Sequence, residues 1–141
     1  MRPFILSLIT LVYLSAGCKK NSHNSNDSGS IEGTWELRKI TANFTQEFSA
    51  GSGSLLKLTK TEYEIYAEDT LYKKGTYSIV IDSMAVGSTC ATAPITVYKR
   101  IVYDGNIDST KESIENTDGI LKLISGCFAD DTGVEKRYVR K

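Results

Sequence analysis

Between Ile31 and Lys141 several runs alternate apolar and polar residues, and no window keeps a helical period of 3.6 for three turns. Trp35 and Leu37 alternate with Thr34, Glu36 and Arg38, Tyr63 and Ile65 with Glu62 and Glu64, and Tyr77, Ile79 and Ile81 with Ser78 and Asp82. Successive side chains of a strand point to opposite faces, so each run is a strip with one face for a core and one for water. Further runs cover Leu55 to Lys60, Ile95 to Tyr103, Ile120 to Ser125 and Val134 to Arg140, with Ile107 to Ile114 an eighth. Breakers separate them: Gly51-Ser52-Gly53, Glu68-Asp69, Gly87-Ser88, Asp104-Gly105-Asn106, Asp118-Gly119 and Asp130 to Gly133. Asp104-Gly105 predicts a hairpin turn, because a type I′ turn needs positive φ, which Gly and Asx tolerate. Short strands joined by short turns predict an all-β domain, a single antiparallel up-and-down barrel of about eight strands, since closure removes exposed edges.

The start of the chain has a different character. Arg2 precedes an apolar run from Phe4 to Leu14, then the small residues Ser15-Ala16-Gly17, then Cys18. A charged start, an apolar centre and a small-residue cleavage site form a signal peptide over residues 1–17, too short for the ~20 apolar residues of a membrane span. It resembles a bacterial lipoprotein signal, which implies that Cys18 is lipidated and becomes the mature N-terminus. Ordinary cleavage near Gly17, leaving Cys18 as a free thiol, is the alternative, and both imply export. Residues 19–30 contain no apolar side chain, so residues 18–30 are expected to be the lipidated Cys and a disordered tether. Twelve flexible residues reach ~20 Å, enough to hold a small domain clear of the headgroups.

Cysteine parity follows from that address. With Cys18 carrying lipid, Cys90 and Cys127 remain as an even pair in an oxidising compartment and are expected to form a disulfide. Metal binding is the competing use of these thiols. It needs about four ligands, and the domain has no CxxC and no His. Charge adds an exclusion: 17 basic residues balance 17 acidic ones, which gives no basic face for nucleic acid. Removal of residues 1–17 takes away Arg2 alone, so the nearly neutral mature surface must be held to a membrane by acyl chains.

Gly33-Thr34-Trp35 opening the first strand after a tether resembles the G-x-W start of the lipocalin and wider calycin families. Gly75-Thr76-Tyr77-Ser78-Ile79 and the Tyr-x-Arg ending resemble small lipocalin-like lipoproteins of Bacteroidetes-type bacteria. The resemblance covers residues 31–141 and implies a barrel whose Trp35 plugs one end beneath a basic side chain from the last strand, Arg137 or Arg140. The cation–π contact would be worth ~0.5–2 kcal/mol. It also implies outer-membrane attachment, with Lys19 rather than Asp following the lipidated Cys.

An eight-strand barrel encloses room for side chains or one small ligand. Trp35, Tyr63, Tyr77, Tyr98 and Tyr103 are the candidate ligand-binding residues, since a Tyr wall is apolar with one polar handle. The same rings can equally form a filled core. Catalytic constellations fail: His23, the single imidazole, lies in the tether, and no Gly-rich phosphate loop is present. Asp104, Asn106, Asp108 and Glu115 follow the ligand spacing of a calcium loop, but Ser109 stands where the sharp turn needs Gly, and a plain hairpin turn is the expected reading. No metal and no cofactor are expected.

The sequence therefore predicts a non-enzymatic, lipid-anchored outer-membrane protein, periplasmic or cell-surface and expected to be monomeric, that binds a small apolar or amphipathic molecule. A protein-binding accessory or inhibitor lipoprotein of the envelope with a filled core is the alternative.

Overall fold

Alternation becomes enclosure because the first barrel strand pairs with the last. The computed structural model describes residues 29–84, 96–107, 111–128 and 131–141. The signal segment, Cys18 and the tether as far as Ser28, Cys90 and Asp108 lie outside the described residues. Among the described residues there are nine strands: β1 (Gly33–Thr41), β2 (Thr45–Glu47), β3 (Leu55–Leu58), β4 (Glu62–Ala67), β5 (Thr70–Met84), β6 (Thr96–Tyr103), β7 (Glu112–Thr117), β8 (Ile120–Ser125) and β9 (Val134–Arg140). Each of β3 to β8 pairs antiparallel with the next, β1 pairs with β3, and β9 returns to β1. The result is an all-β, eight-stranded closed barrel with β2 added alongside the end of β1.

The pairing places one parity of residues inside. Trp35 stands opposite Leu56 and Arg140, Leu58 opposite Tyr63, Tyr77 opposite Tyr103, and Leu121 opposite Tyr138. Trp35, Leu56, Tyr63, Ile101 and Leu121 are wholly buried and, with Leu58, Tyr77, Ile114 and Leu123, fill the middle of the barrel and the end where β1 begins.

That end is closed by the predicted tryptophan, with one of the two predicted arginines. The Arg140 guanidinium lies 4.5 Å from the centre of the Trp35 ring. It also donates to the carbonyls of Glu32 (3.1 Å) and Ser30 (2.8 Å), while the Trp35 indole N–H donates to the Ile31 carbonyl at 2.7 Å. Asn116 donates to Ser30 from the β7 side, so residues 30–32 are strapped across the closed end. Gly33 is needed here: its φ is +139°, and a Cβ would sit 3.1 Å from the Arg140 guanidinium. Arg137 does not provide the cover. It has the opposite parity on β9, lies exposed on the outer face and stands opposite Lys122 and Lys39.

Three strand expectations need correction. The eighth run, placed at Ile107 to Ile114, is β7 at Glu112–Thr117; Ile107 is exposed, and its carbonyl accepts from the buried Arg100. The Asp104-Gly105 turn does form, with φ of 54° and 68° and Asn106 bonding back to Tyr103, but the next strand begins only at Glu112. β5 begins seven residues before Tyr77, since Glu68 and Asp69 take positive φ and make a two-residue turn. Beyond Tyr77 this strand has left β4 behind, so Ile79 and Ile81 continue the inner parity past the packed interior and are 39% and 67% exposed.

Replacement of Arg140 by Ala is expected to lower stability by about 1 kcal/mol, through loss of the stacking and of two carbonyl contacts. Arg137→Ala should stay within about 0.5 kcal/mol, as exposed positions do. Denaturant melts of the two variants compare them directly, and equal losses would remove Arg140 from its sealing role.

Candidate functional site

At the opposite end the barrel is not filled. A cavity of about 330 Å³ opens there, with Leu56, Ile65 and Leu123 as its apolar wall and Lys73, Asp104, Glu112 and Lys136 among its polar residues, together with the rings of Tyr103 and Tyr138. The alternation places each of them. Lys136 and Tyr138 precede Arg140 at the same parity on β9, Glu112 lies two residues before Ile114 on β7, and Tyr103 lies two after Ile101 on β6.

Two charge pairs organise the polar part. Lys136 Nζ donates to Glu112 Oε1 at 2.7 Å across β8, with the carboxylate side chain 12% exposed. Asp104 accepts from the Tyr63 hydroxyl at 2.8 Å and the Thr76 amide at 3.0 Å, and pairs with Lys73 at 3.3 Å. Gly75 makes room for this second cluster, because a Cβ there would run into the Asp104 carboxylate. The Tyr63 and Tyr103 rings meet edge to face with centroids 4.7 Å apart, and the Lys73 ammonium lies 5.5 Å from the Tyr63 ring centre.

The environment sets the protonation states. Burial above all, and then the Glu112 charge, pushes the Tyr103 and Tyr138 phenols well above their usual range, so both are neutral donors at physiological pH. The hydrogen bond from Tyr63 is the largest influence holding Asp104 below the usual carboxylate range, helped by the Thr76 amide and Lys73. Bonds to the Tyr63 oxygen and to Asp104 raise Lys73.

Of the five aromatic candidates, Tyr103 lines the cavity. Trp35 seals the far end, Tyr63 and Tyr77 belong to the filled part, and Tyr98 stands opposite Asp82 on the outer parity of β6. Lys73, Glu112, Lys136 and Tyr138 were not anticipated, although the β9 parity that singles out Arg140 also marks Lys136 and Tyr138. Of the calcium candidates Asp108 lies outside the described residues, and two of the others are taken up elsewhere. Asp104 is committed to Tyr63, Thr76 and Lys73, and Glu115 pairs with Lys122 at 3.6 Å across β7 and β8. Among the described residues no three His, Cys, Asp or Glu side chains cluster for a metal. Cys127 is buried just after β8, its amide bonded to Thr132 Oγ1 at 3.1 Å. No family model, curated protein or solved structure matches this chain.

A carboxylate whose folded pKa is depressed contributes stability above its unfolded pKa, and that contribution disappears as pH falls through the folded value. Asp104 starts from about 3.8 and is lowered, so its contribution is expected to be intact above pH 4 and lost below it. Asp104→Asn should show a flatter acid limb than wild type in melts recorded from pH 6 downward. Parallel limbs would mean that Asp104 is not the titrating partner of Tyr63 and Lys73.

Proposed function

We propose that the chain is an exported, lipid-anchored, non-enzymatic barrel of lipocalin-like kind, held at the outer membrane through Cys18, that binds a small amphipathic molecule in the cavity at its open end. The observation that carries this reading is the division of the interior. One part is packed solid, and the other keeps about 330 Å³ with an apolar wall and a polar lining. That volume lies at the lower end of the range for ligand pockets, which combine apolar surface with a few oriented polar groups. We read the site as non-enzymatic because the phenols are held neutral and both carboxylates are bonded to neighbours.

One observation favours the second reading, a protein partner in the envelope. Ile79, Ile81 and Val97 are exposed together on the β5–β6 hairpin, Ile79 standing opposite Ile101 and Val97 opposite Ser83 on that face.

Native mass spectrometry of protein purified from its own host separates the two. A co-purifying small molecule, lost in a Leu123→Trp variant that fills the cavity, is the expected result. A stoichiometric protein partner with an empty barrel would replace it with the second reading. The anchor is tested separately: Cys18→Ser should move the protein from the membrane fraction to the soluble one, and an unchanged distribution would remove the lipid from the proposal.

A further inference from the structure

One stretch of strand edge is left out of the closure of the barrel. Pairing between β4 and β5 stops at Thr76, and the Tyr77 amide makes the last bond to that side, to the Thr61 carbonyl. From Ser78 to Met84 β5 pairs with β6 alone, which makes this the longest unpaired edge among the described residues. The hydrogen-bond phase identifies the groups it offers. Thr76 turns its carbonyl to the Asp104 amide on the β6 side and Tyr77 turns its amide away, so the peptide groups of Ile79, Ile81 and Ser83 also point away from β6. The Ser83 amide is taken by Asp82 Oδ1 at 2.8 Å, whereas Ile79 and Ile81 have no backbone partner on that side among the described residues.

We infer that a second copy of the chain docks on this edge, its β5 running antiparallel to the first about a two-fold axis at Ile81. An edge strand is ordinarily blunted by a proline, a lysine, a bulge or a cover. Ser78 to Met84 contains neither proline nor lysine, and its register with β6 is unbroken. Its one charge, Asp82, is already neutralised by Lys111 at 3.0 Å and Arg100 at 3.3 Å. The edge is also self-complementary. With Ile81 facing its counterpart, the two exchange amide-to-carbonyl bonds, and each Ile79 amide meets the Ser83 carbonyl of the other copy. Asp82 then stands opposite Val80, so no like charges face one another, and Ile81, 67% exposed in the single chain, gains its counterpart as an apolar neighbour. A two-fold pairing uses both edges and ends at two copies. Residues 19–30 of the same chain are a poorer occupant, because they have no apolar side chain to set against the isoleucines. The edge is short against the roughly 800 Å² a side of a standard interface, so association is weak in dilute solution. Copies anchored to one membrane would meet at a higher effective concentration. The inference is independent of what the cavity holds, and it departs from the monomer expected from the sequence, in which an unpaired edge is not visible.

Sedimentation of the full mature chain carrying Cys18→Ser, from micromolar to millimolar concentration, is expected to show monomer passing to dimer with no larger species. Ile81→Lys sets two like charges across the axis and should weaken the dimer roughly tenfold or more. Val97→Lys, on the same face but on the strand away from the axis, should leave the dissociation constant within about twofold. The register is read by cross-linking: Ile81→Cys should form a disulfide with its counterpart under mild oxidation, since the Cα atoms of a bonded antiparallel pair lie about 5.5 Å apart, and Val97→Cys should not. A monomer at every concentration with no Ile81→Cys cross-link would overturn the inference. So would a dimer that Val97→Lys weakens as much as Ile81→Lys does, or assembly that continues past two copies.

Discussion

The pairing of β1 with β9 is the constraint on which the other features depend. Without it the eight strands would form an open sheet with two unpaired edges and no inside, and alternation would describe two faces of a ribbon. With it, Trp35, Leu56, Tyr63, Ile101 and Leu121 are driven together by burial, each worth several kcal/mol against truncation. The same pairing brings Arg140, at the end of the chain, beside Trp35 near the start of the domain. Closure and the seal therefore support one another: the strand register aligns the guanidinium with the indole, and their contact holds the register at the point where the barrel joins.

The sequence was most legible where side-chain parity alone decides the outcome. Trp35, Tyr63 and Tyr77 all fall on the inner face that alternation assigns to them, and the positive-φ turns occur at Asp104-Gly105 and Asp118-Gly119. It was least legible where tertiary context overrides composition. Thr70 to Lys74 contains two lysines and falls outside the alternating runs, but pairing with β4 holds it in the sheet. Thr45–Glu47 carries no apolar signal and is a strand because the end of β1 offers it a free edge. Ile79 and Ile81 carry the strongest alternating signal and are exposed, because periodicity gives the direction of a side chain and not the extent of the neighbouring strands.

The same limit explains why the aromatic residues alone do not show which end of the barrel stays open. Tyrosines suit a filled core and a ligand wall equally well, and the choice between these depends on what stands across from them. Trp35, Tyr63 and Tyr77 face large apolar partners and close the space. Tyr103 and Tyr138 instead have Glu112 and Lys136 near them, and those charges need water or one another, so the interior cannot collapse around them. Charged residues at inward positions near the ends of strands are thus the sequence signal for where a small barrel stays open. Glu112 begins β7 and Lys136 is the third residue of β9, both at the end opposite the tryptophan seal.

The two ends also differ in how they relate to the proposed anchor. The described chain enters at the sealed end, where Ser30 is held by Arg140 and Asn116 and Glu32 by Arg140. If Cys18 carries lipid, the residues between it and Ser30 lead from the membrane to that end, and the cavity lies on the side of the barrel farther from the point of attachment. The arrangement separates the two kinds of apolar burial in the proposal. Acyl chains take the bilayer, where each CH₂ contributes ~0.8 kcal/mol. A small ligand, as proposed, would then enter from the aqueous side without passing the lipid surface.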